Sequence, residues 1–144
     1  MKKFDFPLAR VMDFRRMQAR VEEIRLEALY AELRAIDTRE VALIQAKVQA
    51  EKALKSAKSV TGFDLEVFDA YRLSTREDQK KMDKARADCR KRIDAQLVVL
   101  TTKRRDVKLL EHLKDRRFEK WEREMFKEID QQAEEAYLAR FGKT

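Results

Sequence analysis

The chain has 144 residues, 42% of them charged and 44% hydrophobic, with only 2 glycines and 1 proline. Folds with many turns consume Gly and Pro. This composition therefore excludes a multi-turn globular core and predicts an all-α protein of long, solvated helices whose core is a seam. A net charge of +7 suits an acidic protein partner, a membrane surface or nucleic acid, and the sign alone does not choose among them.

Cys89 is the only cysteine, which excludes an internal disulfide or a Cys-based metal cluster and fits a reducing compartment. Near the amino terminus Lys2 and Lys3 precede no apolar stretch, because Asp5, Arg10 and Asp13 interrupt it. No apolar run approaches the roughly 20 residues that cross a bilayer. The expectation is a soluble protein whose membrane contact, if any, is peripheral.

Pro7 fits the first turn of a helix, its φ being preset and its missing N–H being unneeded there. No breaker follows until Gly62. Phe14, Met17, Val21 and Ile24 step by 3 and 4; after a one-residue slip Leu29, Leu33, Ile36, Leu43, Ala50, Leu54 and Ala57 continue the rhythm. Residues 8–58 are expected to form one helix, with Glu40 and Lys47 on seam positions and an irregular supercoil at the slip.

Ser59, Thr61 and Gly62 end that pattern and predict the tip of a hairpin. Asp64 is a good N-cap, and Phe63 before it is spaced to staple onto Phe68. Ser74 and Glu77 match a second capping box, so the tip, about 59–74, is expected to carry a short helix over 64–73.

The returning helix, about 75–140, contains no Gly or Pro. Its apolar stripe runs through Met82, Ala85, Cys89, Ile93, Leu97 and Leu100, then Val107 and Leu110, then Trp121, Met125, Ile129, Ala133 and Ala136. Two striped helices joined by a short connection bury their stripes by running antiparallel. The whole chain is thus expected to be one coiled-coil hairpin with a longer second arm. The last 16 to 27 residues, with Trp121, Met125, Phe126, Ile129 and Tyr137, would have no intramolecular cover.

Nothing in the sequence suggests an active site. His112 is the sole histidine and reads as a surface residue; Cys89 reads as a buried, inert thiol. Two glycines cannot build a phosphate loop, and carboxylate pairs such as Glu22–Glu23 and Glu134–Glu135 lie among basic residues at ordinary helical spacing. The expectation is a protein that is not an enzyme, with no catalytic residue, cofactor or metal. Basic clusters stand at Arg15, Arg16 and Arg20, at TKRRDVK (102–108) and at LKDRRFEKWER (113–123); antiparallel pairing would bring the first and last together. They suit either a solvated face or an acidic protein surface. Interleaved acids and the lack of a stacking platform argue against nucleic acid. Phe63, Phe68 and Tyr71 crowd the tip, where they either pack on one another or present a contact site.

The start KKFDFPLARVMDFR resembles the amino-terminal pattern of the FliJ family of flagellar export proteins: basic residues, then Phe4, Phe6, Leu8, Val11, Met12 and Arg15. The stretch LKDRRFEKWEREMFKEIDQQA is similar to that family's later motifs, here Leu113 to Arg117 and Lys127 to Asp130. The resemblance implies an antiparallel coiled coil that serves as a soluble, noncatalytic stalk of the flagellar type III export apparatus. It implies that the open end, with Phe4, Phe6, Arg15, Arg16, Arg116, Arg117 and Trp121, enters the hexameric export ATPase and promotes ring assembly. It further implies that the tip, with Phe63, Phe68 and Tyr71, meets the membrane export gate, and that the protein escorts substrate–chaperone complexes. Thr75 and Asp78 depart from the family pattern, standing where aliphatic contact residues are common. Such a protein would be cytoplasmic, peripheral to the inner membrane at the flagellar base, and a monomer or weak dimer. The other expectations are the related injectisome stalk, a coiled coil that self-associates through its carboxy-terminal overhangs, and a basic nucleic-acid binder.

Overall fold

A computed structural model describes residues 2–142. Two helices, α1 (Ala9–Ser56) and α2 (Gly62–Phe141), pack against each other as an all-α hairpin, with no strand among the described residues. Helix α1 opens where the Ala9 N–H donates to the Phe6 carbonyl at 3.0 Å, so Pro7 lies in the turn just before it. None of the helices is long and apolar enough to cross a membrane, among the described residues.

The connection is shorter than the sequence suggested. Only residues 57–61 lie between the helices, and α2 runs without a break through Ser74. The separate tip helix over 64–73 and the restart near 75 are therefore not formed. Next to Ser74, the Thr75 hydroxyl donates to the Tyr71 carbonyl at 2.7 Å, the back-bond of a helix interior rather than of a cap. The N-cap is Thr61, not Asp64. The Thr61 hydroxyl accepts from the Asp64 N–H at 3.2 Å while the Asp64 carboxylate accepts from the Thr61 N–H at 3.0 Å, a reciprocal capping box. This makes Gly62 the first helical residue, with no positive φ and open space where a Cβ would stand. By contrast, Gly142 is tight against the helix end: a Cβ there would sit 2.5 Å from the Leu138 carbonyl oxygen.

The seam of α1 also differs from the expected one. Phe14, Met17, Val21 and Ile24 are all exposed, Met17 at 68%. The residues turned inward are Leu8, Met12, Arg15, Ala19, Glu22, Leu26, Leu29, Leu33 and Ile36, continuing through Glu40, Leu43, Lys47, Ala50 and Leu54. That is an unbroken alternation of 4 and 3, with no slip. Hydrophobicity alone pointed to the wrong face of the first turns because the true seam carries Arg15 and Glu22 there. On α2 the seam uses Arg86 and Gln96, both half-buried, where Ala85 and Leu97 were expected; those two are exposed.

The chain forms two compact units. The central unit, Glu22–Val99, has its core at Ile36, Cys89 and Ile93, packed by Leu26, Leu29, Leu33 and Met82. Cys89 is fully buried and its thiol points to the Leu29 carbonyl at 3.5 Å. Polar seam residues are answered across the pair. Arg86 bridges Asp37 at 3.1 Å, Asp83 at 3.4 Å and also Glu40, whose other oxygen accepts from the Gln79 amide at 3.1 Å. Glu22 accepts from Arg25 at 2.9 Å and from the Gln96 amide, which also reaches the Glu22 carbonyl at 3.1 Å. Polar groups at seam positions cost stability unless matched, so each such match holds one register of the two helices.

The terminal unit, Met1–Val21 with Leu100–Thr144, buries Met12, Ala19 and Leu100 along its seam. Arg15 faces Asp106 at 3.7 Å, and Arg16 faces Glu111 at 3.3 Å. In each unit the two helices run antiparallel.

Candidate functional site

In the terminal unit, residues 2–8 precede α1 without helical structure and lie along α2. Phe4 meets Phe118 edge to face, with ring centroids 5.2 Å apart, and Trp121 at 5.9 Å; Phe118 and Trp121 are 5.6 Å apart. The three rings form one cluster whose spacing suits mutual attraction of aromatic quadrupoles. The Trp121 indole N–H donates to the Lys2 carbonyl at 3.1 Å, so the tail is pinned at its outermost described residue. The Arg117 guanidinium lies 5.7 Å over the Phe6 ring, in cation–π range.

This arrangement revises three expectations. Trp121 is not part of an uncovered overhang, because the amino-terminal tail covers it; full exposure begins after the half-buried Met125. Phe6 is 5% exposed, so it anchors the tail and offers a partner almost no surface. The first and last basic clusters do not face each other, since Arg15 and Arg16 are opposed by Asp106 and Glu111. Antiparallel register places carboxylates there, where a second set of cations would repel. Arg116 and Arg117 remain exposed, and Arg117 lies over the ring of Phe6. Phe118 was missed by the sequence reading; its signal was the spacing of three to Trp121, which puts both rings on one helix face.

In the central unit, Phe63 is 72% exposed and has no staple onto Phe68 to form, because Asp64 is not the cap. Phe68 and Tyr71 are half-buried and line an open groove of about 440 Å³ together with Ala50, Ala53, Leu54 and Ala57. Small alanines opposite large rings leave this gap, and the recurrence of Ala50, Ala53 and Ala57 was the signal for it. Asp64 has its pKa lowered by the hydrogen bonds from Thr61, backbone first and hydroxyl second, so the carboxylate that returns the capping-box bond near this groove is ionised at neutral pH. Thr75 is buried and Asp78 exposed, so neither supplies an apolar contact there.

No family model, curated protein or solved structure matches the chain.

Two features are partly open to solvent, the aromatic cluster and the alanine-lined groove. The aromatic cluster and neighbouring Arg117 are positioned by the packing of the tail on α2. The alanine-lined groove is positioned by the cap at Thr61. Along the seam, Glu32 has its carboxyl pKa lowered chiefly by the hydrogen bond from Arg92 at 2.6 Å, and Arg92 is raised by the same contact, as an ordinary surface ion pair. His112 is exposed, and among the described residues no group of three His, Cys, Asp or Glu side chains is gathered as a metal site.

Proposed function

We propose that this chain is a noncatalytic stalk of the flagellar type III protein export apparatus. It binds the hexameric export ATPase through its terminal unit, promotes assembly of the ring, and contacts the membrane export gate through the groove and exposed Phe63 near the connection. It works from the cytoplasm, peripherally at the inner membrane of the flagellar base, and takes part in escorting substrate–chaperone complexes.

One observation carries the reading. The two stretches that resemble FliJ-family motifs are separated by residues 16–112 in sequence, yet Phe4 packs with Phe118 and Trp121, and Arg117 lies over the Phe6 ring. A partner touching that cluster would contact both motifs at once. Rigid aromatic and arginine side chains are also the residue types that dominate binding energy at protein interfaces. The antiparallel hairpin supports the reading as well, since a stalk needs no pocket and no reacting group.

The test is sedimentation of a flagellar export ATPase with nucleotide, with and without this protein. Co-sedimentation with a shift of the ATPase toward hexamers is the expected result. Replacing Arg116, Arg117 and Trp121 together should weaken that binding without changing helix content. An ATPase that ignores the wild-type chain would overturn the proposal.

A further inference from the structure

In the terminal unit, α2 turns one face directly away from α1. At about 100° per residue, Arg105 stands opposite the inward positions Leu100, Val107, Leu110 and Trp121. Within about 60° of Arg105, over residues 101–127, lie Lys108, Arg116, Lys120, Arg123 and Lys127, all exposed. These cations run along about 33 Å of helix. Leu109 and, at the edge of the sector, Phe126 are exposed among them.

The face is not neutralised from within. Glu119 is the one acid in the sector, and Arg123 bridges it at 3.7 Å; among the described residues the other cations of the face form no ion pair. The remaining acids of this stretch, Asp106, Glu111, Asp115, Glu122 and Glu124, lie about 80° or more from Arg105. Asp106 and Glu111 are held by Arg15 and Arg16 of α1. Folding therefore uses acids on the inward side and leaves cations on the outward one. Lys120 stands four residues from Arg116 and three from Arg123, and such like-charged neighbours destabilise a helix. An anionic surface outside the chain relieves that repulsion.

Three features select that surface. The cations project in one line from the convex side of a single helix, so they meet a flat surface together. A folded protein would need carboxylates at matching intervals along about 33 Å, whereas anionic headgroups diffuse to wherever a cation falls. Leu109 and Phe126 are apolar side chains suited to the headgroup boundary, and the long Lys and Arg stems reach outward beside them. A single ring at the edge of the sector makes no stacking platform for bases. We propose that this face of α2 lies on the surface of a bilayer rich in anionic phospholipid and binds it reversibly. The proposal does not rest on the stalk reading, and its test does not involve the ATPase.

The experiment is flotation of the full chain with phosphatidylcholine vesicles, with and without phosphatidylglycerol, at low salt. Binding is expected only where phosphatidylglycerol is present, and it should fall as salt is raised. Arg105→Gln, Lys108→Gln and Lys120→Gln together should lower the vesicle partition coefficient roughly a hundredfold, or roughly fivefold per charge. A control set, Lys52→Gln, Lys55→Gln and Lys58→Gln, removes the same charge from exposed positions off this face and should lower it less than about fivefold. Circular dichroism should show unchanged helix content in both sets. Leu109→Cys carrying a polarity-sensitive dye should shift to the blue on anionic vesicles, the buried native Cys89 staying unlabelled. A wild-type chain that does not float with anionic vesicles would overturn the proposal and leave the face to an acidic protein. Equal losses from the two variant sets would overturn it too, by reducing the binding to net charge. So would tighter retention on a duplex oligonucleotide that the first variant set abolishes, which would assign the face to nucleic acid.

Discussion

The seam assignment on α1 can be tested by two methionines five residues apart. Met12 is 2% exposed, whereas Met17 is exposed on the outer face. Truncating a buried methionine to alanine costs about 2–5 kcal/mol in well-packed cores, through lost transfer energy plus the cavity left behind. A two-helix seam closes partly over a vacated site, so Met12→Ala should cost about 2–3 kcal/mol, the lower half of that range. For a chain of this size each kcal/mol lowers Tm by about 3–4 °C, giving a drop of about 6–12 °C. Met17→Ala removes only solvated atoms and adds helix propensity, so its effect should stay within about 0.5 kcal/mol, with a slight gain. Thermal and urea unfolding followed by circular dichroism at 222 nm measures both. If Met17→Ala is the more damaging of the two, the slipped stripe inferred from hydrophobicity is the real seam.

Other changes test the cap, the tail and the polar seam. Gly62→Ala should be neutral or stabilise by up to about 1 kcal/mol, since the site needs no positive φ and has room for a Cβ; a loss seen in urea titration would restore a special turn there. Thr61→Ala should cost about 1 kcal/mol by removing the cap, with faster amide exchange confined to the start of α2. Because the folded pKa of Asp64 is depressed, its stabilising contribution is present above the ordinary aspartate range and fades as pH falls through the folded value. Acid should therefore loosen this cap in the wild type more than in Asp64→Asn, as read by exchange of the same amides. Trp121→Ala should release residues 2–8 to limited proteolysis while the central unit keeps its protection, because the indole N–H and ring hold the tail. Gln96→Ala should cost about 1–2 kcal/mol by removing a donor from the buried Glu22 carboxylate, and Gln96→Glu should cost more, both read by urea unfolding.

The sequence alone determined the class and the connectivity. With almost no breakers, continuous 3–4 spacing and one short interruption near Gly62, two long antiparallel helices were the arrangement that buried both stripes. Cys89, Ile93, Leu100, Leu33 and Ile36 were legible as inward residues because each lies three, four or seven residues from another of them. The face of α1 before Leu26 was not legible. There the seam uses Arg15 and Glu22, which are tolerable only because Asp106 and Gln96 stand opposite, and no one-helix pattern contains the opposite helix. The cap at Thr61 was hidden for a related reason: Asp64 has the chemistry of a cap, and only the backbone's path decides whether it receives the bond or returns it. The terminal cluster was legible as two separate motifs. That Phe4, Phe118 and Trp121 form a single surface, with Phe6 buried beneath Arg117, was decided by how the tail folds back on α2. Tertiary structure chose among faces that the sequence left equally apolar, because packing rewards a residue for its partner as much as for its own hydrophobicity.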